Sequence, residues 1–289
     1  MITKEIKNFN LAQICQSGQC FRMWTTDETT CQVIAGDKFL EVKQQGEDVS
    51  FFCEEDEFEN FWKLYFDLEN DYGTYIAQIN PRDVYLNRAA QAGSGIRILR
   101  QDLWEMIVSF LISQQNNIAR IRRCIQNICE VYGEQKTDLR GNVYYAFPKP
   151  GALAALEEDA LKSCNLGYRS KYVVRTARSI ASGETDLNAI SRMPYKKAKE
   201  ELLKLFGVGD KVADCICLFA LHHLQAFPVD THIRQVMEAH YKRGFPNRRY
   251  RGFQGVMQQY IFYYELFGKN VTGEDEILHK NVSKEPQHP

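Results

Sequence analysis

The sequence has no apolar run near the ~20 residues that a membrane-spanning helix needs, so no membrane association is expected. Its opening, MITKEIKNFN, is charged and no apolar h-region follows, which argues against a secretory signal. No Cys-x-x-Cys occurs. The nine cysteines, at 15, 20, 31, 53, 124, 129, 164, 215 and 217, are odd in number and irregularly spaced. A disulfide framework or zinc site is therefore not expected, and small buried thiols in a reducing cell are. The G-x-x-x-x-G-K-[ST] nucleotide loop is also absent. Net charge is only -1, which argues against a simple basic nucleic-acid binder.

The charge is unevenly spread. Residues 1–90 carry 8 Lys and Arg against 16 Asp and Glu, and the remainder carries 28 against 21. Such asymmetry points to a polyanion partner. Basic residues cluster in IARIRR (118–123), YRSKYVVRTAR (168–178) and YKRGFPNRRYR (241–251), interleaved with aromatics. Any one cluster is equally well read as a solvated helix face; three together favour DNA.

With 289 residues, 44% of them apolar and 25% charged, the chain can build one large or two to three small globular domains. CFRMWTT, TCQVIAGDKFLEVKQQ and VSFFC read as short strands, with GD and QGED as turns. EEDEFENFWKLYF then reads as a helix. From about residue 101 helical periodicity takes over. LWEMIVSFLISQQ has apolar residues at 103, 104, 107, 108, 110 and 111, a stripe broad enough to be mostly buried. IARIRRCIQNICEVYG places Ile118, Ile121, Ile125 and Ile128 on one face before Gly133. FPKPGALAALEEDALKSC opens another helix after two prolines, and more are expected near 170–182, 195–206, 211–222, 231–240 and 252–266. The expected fold is α+β. An antiparallel sheet domain spans 1–95, an all-α core spans 96–268 with a hairpin at 202–222, and a polar, disordered tail spans 269–289.

The chemistry concentrates in LLKLFGVGDKVADCICLFALHHLQAFPVDTHI, residues 202–233. One helix runs into Gly207-Val208-Gly209-Asp210 and a second begins at Lys211. Glycines there permit positive φ and close approach, so several N–H groups can face a phosphate at a helix start. A tight helical turn needs glycine structurally as well. Lys211 and Cys215, four apart, share a helix face, and a thiol beside an ammonium is drawn toward the thiolate. Lys211 itself opposes the positive helix N-terminus, which favours the neutral, nucleophilic amine. The plain alternative is a surface lysine. Asp230, just after Pro228, suits a helix N-cap. Facing Lys211, its carboxylate could also stabilise positive charge on a sugar as a glycosidic bond breaks.

This stretch closely resembles the hairpin, lysine and downstream Val-Asp of the helix-hairpin-helix-GPD superfamily of DNA glycosylases, in its 8-oxoguanine branch. The resemblance extends through SGQCFRMW (17–24), SQQNNIARI (113–121), LGYRSKYV (166–173), GVGDKVADCICL (207–218) and QQYIF (258–262). It implies a base-excision-repair glycosylase core with lyase activity, because Lys211 is present where monofunctional alkyladenine enzymes lack a lysine. No iron–sulfur cluster is implied, since no cysteine follows Cys217. No other cofactor or metal is expected, although hairpin carbonyls could hold a monovalent or divalent cation.

Residue by residue, the resemblance implies that Lys211 attacks C1′, expels the base and forms a Schiff base, and that β-elimination nicks the strand. Asp230 would stabilise the oxocarbenium-like transition state, and His232 would bind a phosphate or merely satisfy a helix end. An enzyme acting on C1′ must flip the nucleotide out. Phe262 and Cys215 would sandwich the base, Gln258 would pair with its Watson–Crick edge, and the Gly18 carbonyl would accept from the N7–H that guanine lacks. That last contact is worth ~1–3 kcal/mol. Its plain alternative is that Ser-Gly-Gln simply turns the chain. Tyr168 would wedge beside the orphan base while Gln115, Arg120 and Arg169 enter the gap, the arginines reading cytosine acceptors. The family commonly has Asn where Gln115 stands, so this plug is one methylene longer. Asn116 and Asn117 join the same DNA-facing set, as do Gly207 and Gly209, although Asn117 also suits a helix cap. The implied partner is double-stranded DNA containing oxidised guanine, bound by a monomer. The implied location is the prokaryotic cytoplasm and nucleoid, or the nucleus of a eukaryote. The alternatives are a same-fold glycosylase for another lesion and a non-catalytic helix-hairpin-helix scaffold. A protein-interaction module leaves the Lys-Cys-Asp constellation unexplained.

Overall fold

The computed structural model describes residues 1–268; the tail expected over 269–289 lies outside them. Five strands, β1 (Ile2–Glu5), β2 (Met23–Thr25), β3 (Thr30–Ala35), β4 (Lys38–Gln45) and β5 (Asp48–Phe51), form an antiparallel sheet in the order β1-β5-β4-β3-β2. The Gly36-Asp37 turn closes the pair Ala35 and Lys38, and Gly46-Glu47 closes Gln45 and Asp48. Both glycines take positive φ, as two-residue hairpins with glycine first require. One sheet face buries Met23, Val33, Leu40, Val42, Val49 and Phe51. It packs on Phe58, Trp62, Tyr65 and Phe66 of the helical segment 55–65 and the turn after it.

The first hundred residues hold more helix than the periodicity predicts. Leu11–Gln16, Tyr72–Ala77 and Val84–Ala92 are helices. The last two join the helical core through Tyr72, Leu86, Ala89 and Ala90, and Val84–Ala92 packs on Gln254–Tyr263. The two hydrophobic cores therefore interlock between residues 67 and 100, where Leu99 still belongs to the sheet side.

The helical region also contains a short hairpin, β6 (Gln135–Thr137) and β7 (Val143–Tyr145), which the sequence reading did not anticipate. Its turn is closed by Asp138, which accepts from Arg140 N and Asn142 N, while Arg140 grips Glu41 of β4 at 2.7 and 3.0 Å. A buried pair, Arg22 with Glu105 at 3.2 Å, makes a second tie between sheet and helices. Burial pushes the Glu105 carboxyl up despite the guanidinium beside it.

Leu103–Ser113 is buried around almost its whole circumference and supports Asp210–Phe219, of which eight residues are buried. Ile118–Tyr132 turns Ile121, Ile125 and Ile128 inward and ends at Gly133. After the prolines only Pro150–Ala154 and a 3-10 turn, Ala160–Cys164, form before Arg169–Ala181. All nine cysteines are free and buried.

Candidate active site and DNA interface

The hairpin is built from Tyr195–Leu202 and Asp210–Phe219. Lys199 clamps its two helices by pairing with Asp210 at 3.2 Å and Asp214 at 3.0 Å, and Tyr195 donates to Asp214 at 2.6 Å. Gly207 takes φ +90 against the face of Tyr172, where a Cβ would lie 2.6 Å from the ring. Only Gly207 uses the left-handed region. Gly209 is extended (φ -104) and caps the second helix, which starts at Asp210, one residue before Lys211.

Lys211, in the first turn, is half-buried. Its Nζ lies 3.5 Å from Ser113 Oγ and 5.4 Å from the Phe110 ring centre, and it pairs with no carboxylate among the described residues. The amine opens into a cavity of about 650 Å³ whose walls include Gly18, Asp230, His232, Phe262 and the loop 114–117. Asp230 is the N-cap of Thr231–His240 and accepts from Ile233 N at 2.8 Å. One of its oxygens is thus committed to the helix, and Asp230 itself still lines the cavity.

Gly18 and Phe262 meet in another part of the same cavity wall. Gly18 sits at φ +74, and a Cβ there would come within 2.9 Å of Phe262 Cε1. His232 is exposed and meets the Phe262 ring edge-on at 6.2 Å.

Three expectations need correction. Cys215 is not drawn toward the thiolate: burial pushes its thiol up to about 11, and Lys211 recovers only part of that. Desolvation by the packed helices outweighs one neighbouring ammonium. Gln258 is 3% exposed and does not line the cavity. Its amide donates to Pro228 O at 3.2 Å and accepts from Gln259 at 3.2 Å. Arg169 does not project toward DNA. It is 4% exposed, and its guanidinium donates to the carbonyls of Gln114 and Gln115.

Tyr168, Gln115, Asn116, Asn117 and Arg120, expected to face DNA, gather at one rim. Tyr168 is 43% exposed, and its hydroxyl lies 3.4 Å from Gln115 Oε1. Gln115 is exposed and left-handed (φ +48). Asn117 caps Ile118–Tyr132 by accepting from Arg120 N at 2.9 Å. Asn116 accepts from Asn117 N and donates to Ile112 O, and the Arg120 side chain reaches Asn165 O at 3.4 Å. The sequence reading missed Phe110 and Ser113, which contact Lys211, and Gln114, which ties the rim to Gly207 O. The only signal was the polar run Ser-Gln-Gln-Asn-Asn at the end of a buried helix.

This arrangement of hairpin, lysine, capping aspartate and glycine–aromatic wall can be compared with known proteins. Residues 1–107 match the family pattern "8-oxoguanine DNA glycosylase, N-terminal domain", and residues 108–248 match "HhH-GPD superfamily base excision DNA repair protein". The N-glycosylase/DNA lyase of Saccharomyces cerevisiae is 31% identical over 259 residues, 80% of this chain and 68% of that protein. The chain belongs to the 8-oxoguanine DNA glycosylase family. Among solved structures, the apo-form of the Clostridium acetobutylicum 8-oxoguanine glycosylase/lyase superposes with a TM-score of 0.85 at 39% identity, covering 90% of this chain and 94% of that one. The same enzyme in complex with dsDNA containing cytosine opposite 8-oxoG gives 0.84 at 38% identity, covering 92% and 93%. This family member follows that fold from the five-stranded sheet through the hairpin. Its described residues contain no group of three or more His, Cys, Asp or Glu placed to hold a metal, and no helix long and apolar enough to cross a membrane.

Proposed function

We propose that this protein excises 8-oxoguanine from duplex DNA and then cleaves the strand at the resulting abasic site, with Lys211 as nucleophile. The observation that carries the reading is the convergence of the half-buried Lys211 amine, Asp230 and the Gly18–Phe262 wall on one cavity. The amine forms a bond to C1′ as the C1′–N9 bond breaks, and the departing base takes up a proton. Opening of the sugar ring turns the secondary amine into an imine. Loss of a C2′ proton then expels the 3′ phosphate. Asp230 offsets the positive charge that develops on the sugar, a kind of preorganised contact whose removal elsewhere costs about 10²–10³ in rate.

In the same reading Phe262 stacks on the flipped base and the Gly18 carbonyl accepts from its N7–H. Gln258 reads the base only after its amide exchanges Pro228 O for the base edge, and Cys215, which like Gln258 is 3% exposed and does not line the cavity, meets the base as a neutral thiol only once that wall opens. Gly207, Gly209 and His232 grip phosphates. Tyr168, Gln115, Asn116, Asn117 and Arg120 occupy the gap, and Arg169 joins them only by releasing its carbonyls. A monovalent or divalent cation on the hairpin carbonyls would share Gly207 O with the Gln114 amide; cation-dependent DNA affinity at constant ionic strength would reveal one. The protein acts as a monomer where DNA lies, in nucleoid or nucleus.

Borohydride trapping on an 8-oxoguanine duplex, with each of the four bases opposite, tests the proposal. A covalent adduct in the wild type that is lost in Lys211→Gln is expected. Full trapping by Lys211→Gln would remove that amine from the mechanism. Stronger trapping on another damaged base would reassign the substrate.

A further inference from the structure

We propose that Gln114 is a positioning residue that couples the hairpin to the plug, so that a phosphate seated on the hairpin fixes the loop conformation filling the gap behind an extruded base. The inference rests on the glycosylase reading above. Gln114 reaches both elements at once. Its side-chain Nε2 donates to Gly207 O at 3.0 Å, with Leu111 O at 3.3 Å. Its own carbonyl accepts from Arg169 Nε at 2.8 Å and from Nη2, and Nη2 also serves Gln115 O at 2.9 Å. The Arg169 guanidinium in turn lies 4.5 Å from the centre of the Tyr168 ring. Hairpin, wedge and plug therefore meet in a side chain, a carbonyl and one guanidinium.

Such bracing is needed because Gln115 is held at φ +48, a left-handed conformation that a residue with a Cβ adopts only under constraint. Gly207, the other end of the tie, is fixed at φ +90 against Tyr172. A rigid hairpin thereby holds a strained loop through one donor. Without that donor the hairpin keeps its shape and its phosphate grip, whereas Gln115 is free to relax away from the stack. The step that suffers is stabilisation of the extruded nucleotide, not the attack by Lys211.

The test uses Gln114→Leu and Gln114→Met in the full chain. The second keeps the length of the side chain, adds no charge and lacks the donor, so misfolding of the first leaves the experiment intact; thermal unfolding is followed in both. Single-turnover excision from an 8-oxoguanine–cytosine duplex should fall about tenfold, the scale of one hydrogen bond. Nicking of a preformed abasic site, where no base needs extruding, should stay within about twofold, as should affinity for undamaged duplex. The fluorescence rise of a 2-aminopurine beside the lesion on enzyme binding should shrink. Unchanged excision in a folded Gln114→Met protein overturns the proposal. So does a parallel fall in abasic-site nicking, which would put Gln114 in the chemistry instead. Wild-type excision in the same assay tests the parent reading separately.

Discussion

Gly18 and Phe262 stand so close that a Cβ on Gly18 would lie 2.9 Å from the ring carbon Cε1, and Gly18 is held at φ +74 besides. The two residues come from opposite ends of the chain and together set the width of a slot. A side chain at 18 must push the ring or shift the loop.

Gly18→Ala should therefore separate base recognition from lyase chemistry. The left-handed backbone alone costs an alanine about 1–2 kcal/mol, so the unfolding midpoint should drop by a few degrees. Excision of 8-oxoguanine should fall more than about tenfold as the slot narrows. Nicking of a preformed abasic site, which brings no base, should be nearly unaffected. Equal losses in the two gel assays would show that Gly18 does not shape a base slot.

Asp230 caps a helix and is proposed to stabilise charge on the sugar, and two substitutions divide these roles. Asparagine caps a helix about as well as aspartate, so Asp230→Asn should keep the bond to Ile233 N and most of the stability while losing the negative charge. Excision should drop by about 10²–10³. Asp230→Ala should lose the same activity and a further ~1 kcal/mol of stability. Single-turnover rates and unfolding curves on both variants check this. An active Asp230→Asn protein would reduce Asp230 to a cap.

Much of this site was legible in the sequence because its parts are local. Gly207-Val208-Gly209 before a helix, Asp230 after Pro228, and Asn117 before an apolar run each announce a turn or cap at their own position. What was not legible depends on distant neighbours. Gln258 faces Pro228 O, a carbonyl 30 residues away, and nothing in QQYIF shows that its amide is already engaged. The Lys211–Cys215 pairing followed from helix spacing, but the packed helices around Cys215 set its thiol. Val84–Ala92 escaped notice because its buried face is Leu86, Ala89 and Ala90, and alanines leave a weak hydrophobic period. β6 and β7 have three residues each, too few for alternation to register.

Acid stability should depend on Asp67, which ties the end of the sheet unit to His222 in the segment that follows the hairpin's second helix. Its carboxylate is almost wholly buried and meets Tyr72 OH at 2.9 Å, Arg100 Nη2 at 2.9 Å and His222 Nε2 at 3.1 Å. Burial alone would raise it, but the hydrogen bond and charge from His222, with Arg100, outweigh that and hold it at about 2. The folded value lies below the unfolded one near 3.9. Its stabilisation, on the order of 2 kcal/mol, is thus complete above about pH 4 and lost as the pH falls through 2. Urea unfolding of Asp67→Asn should show a less stable protein at neutral pH and a flatter decline between pH 4 and 2. An unchanged acid limb would assign it to other carboxylates.

The two hairpin glycines should respond unequally to a methyl group. At Gly207 an added Cβ would lie 2.6 Å from Tyr172 Cγ, in a backbone region with φ +90, so the turn must move off the tyrosine face. Its N–H groups would then move away from the phosphate position proposed above. Gly207→Ala should weaken binding to damaged and undamaged duplexes alike, by about tenfold or more, because phosphate contacts are blind to sequence. At Gly209 the backbone is extended and no atom lies within 4 Å of an added Cβ. Gly209→Ala should cost no more than ~1 kcal/mol as a poorer N-cap and should change affinity less than about threefold. Fluorescence anisotropy with a non-cleavable duplex, beside thermal unfolding, measures both. Equal losses at the two positions would mean that space around the hairpin, and not its left-handed turn, governs DNA binding.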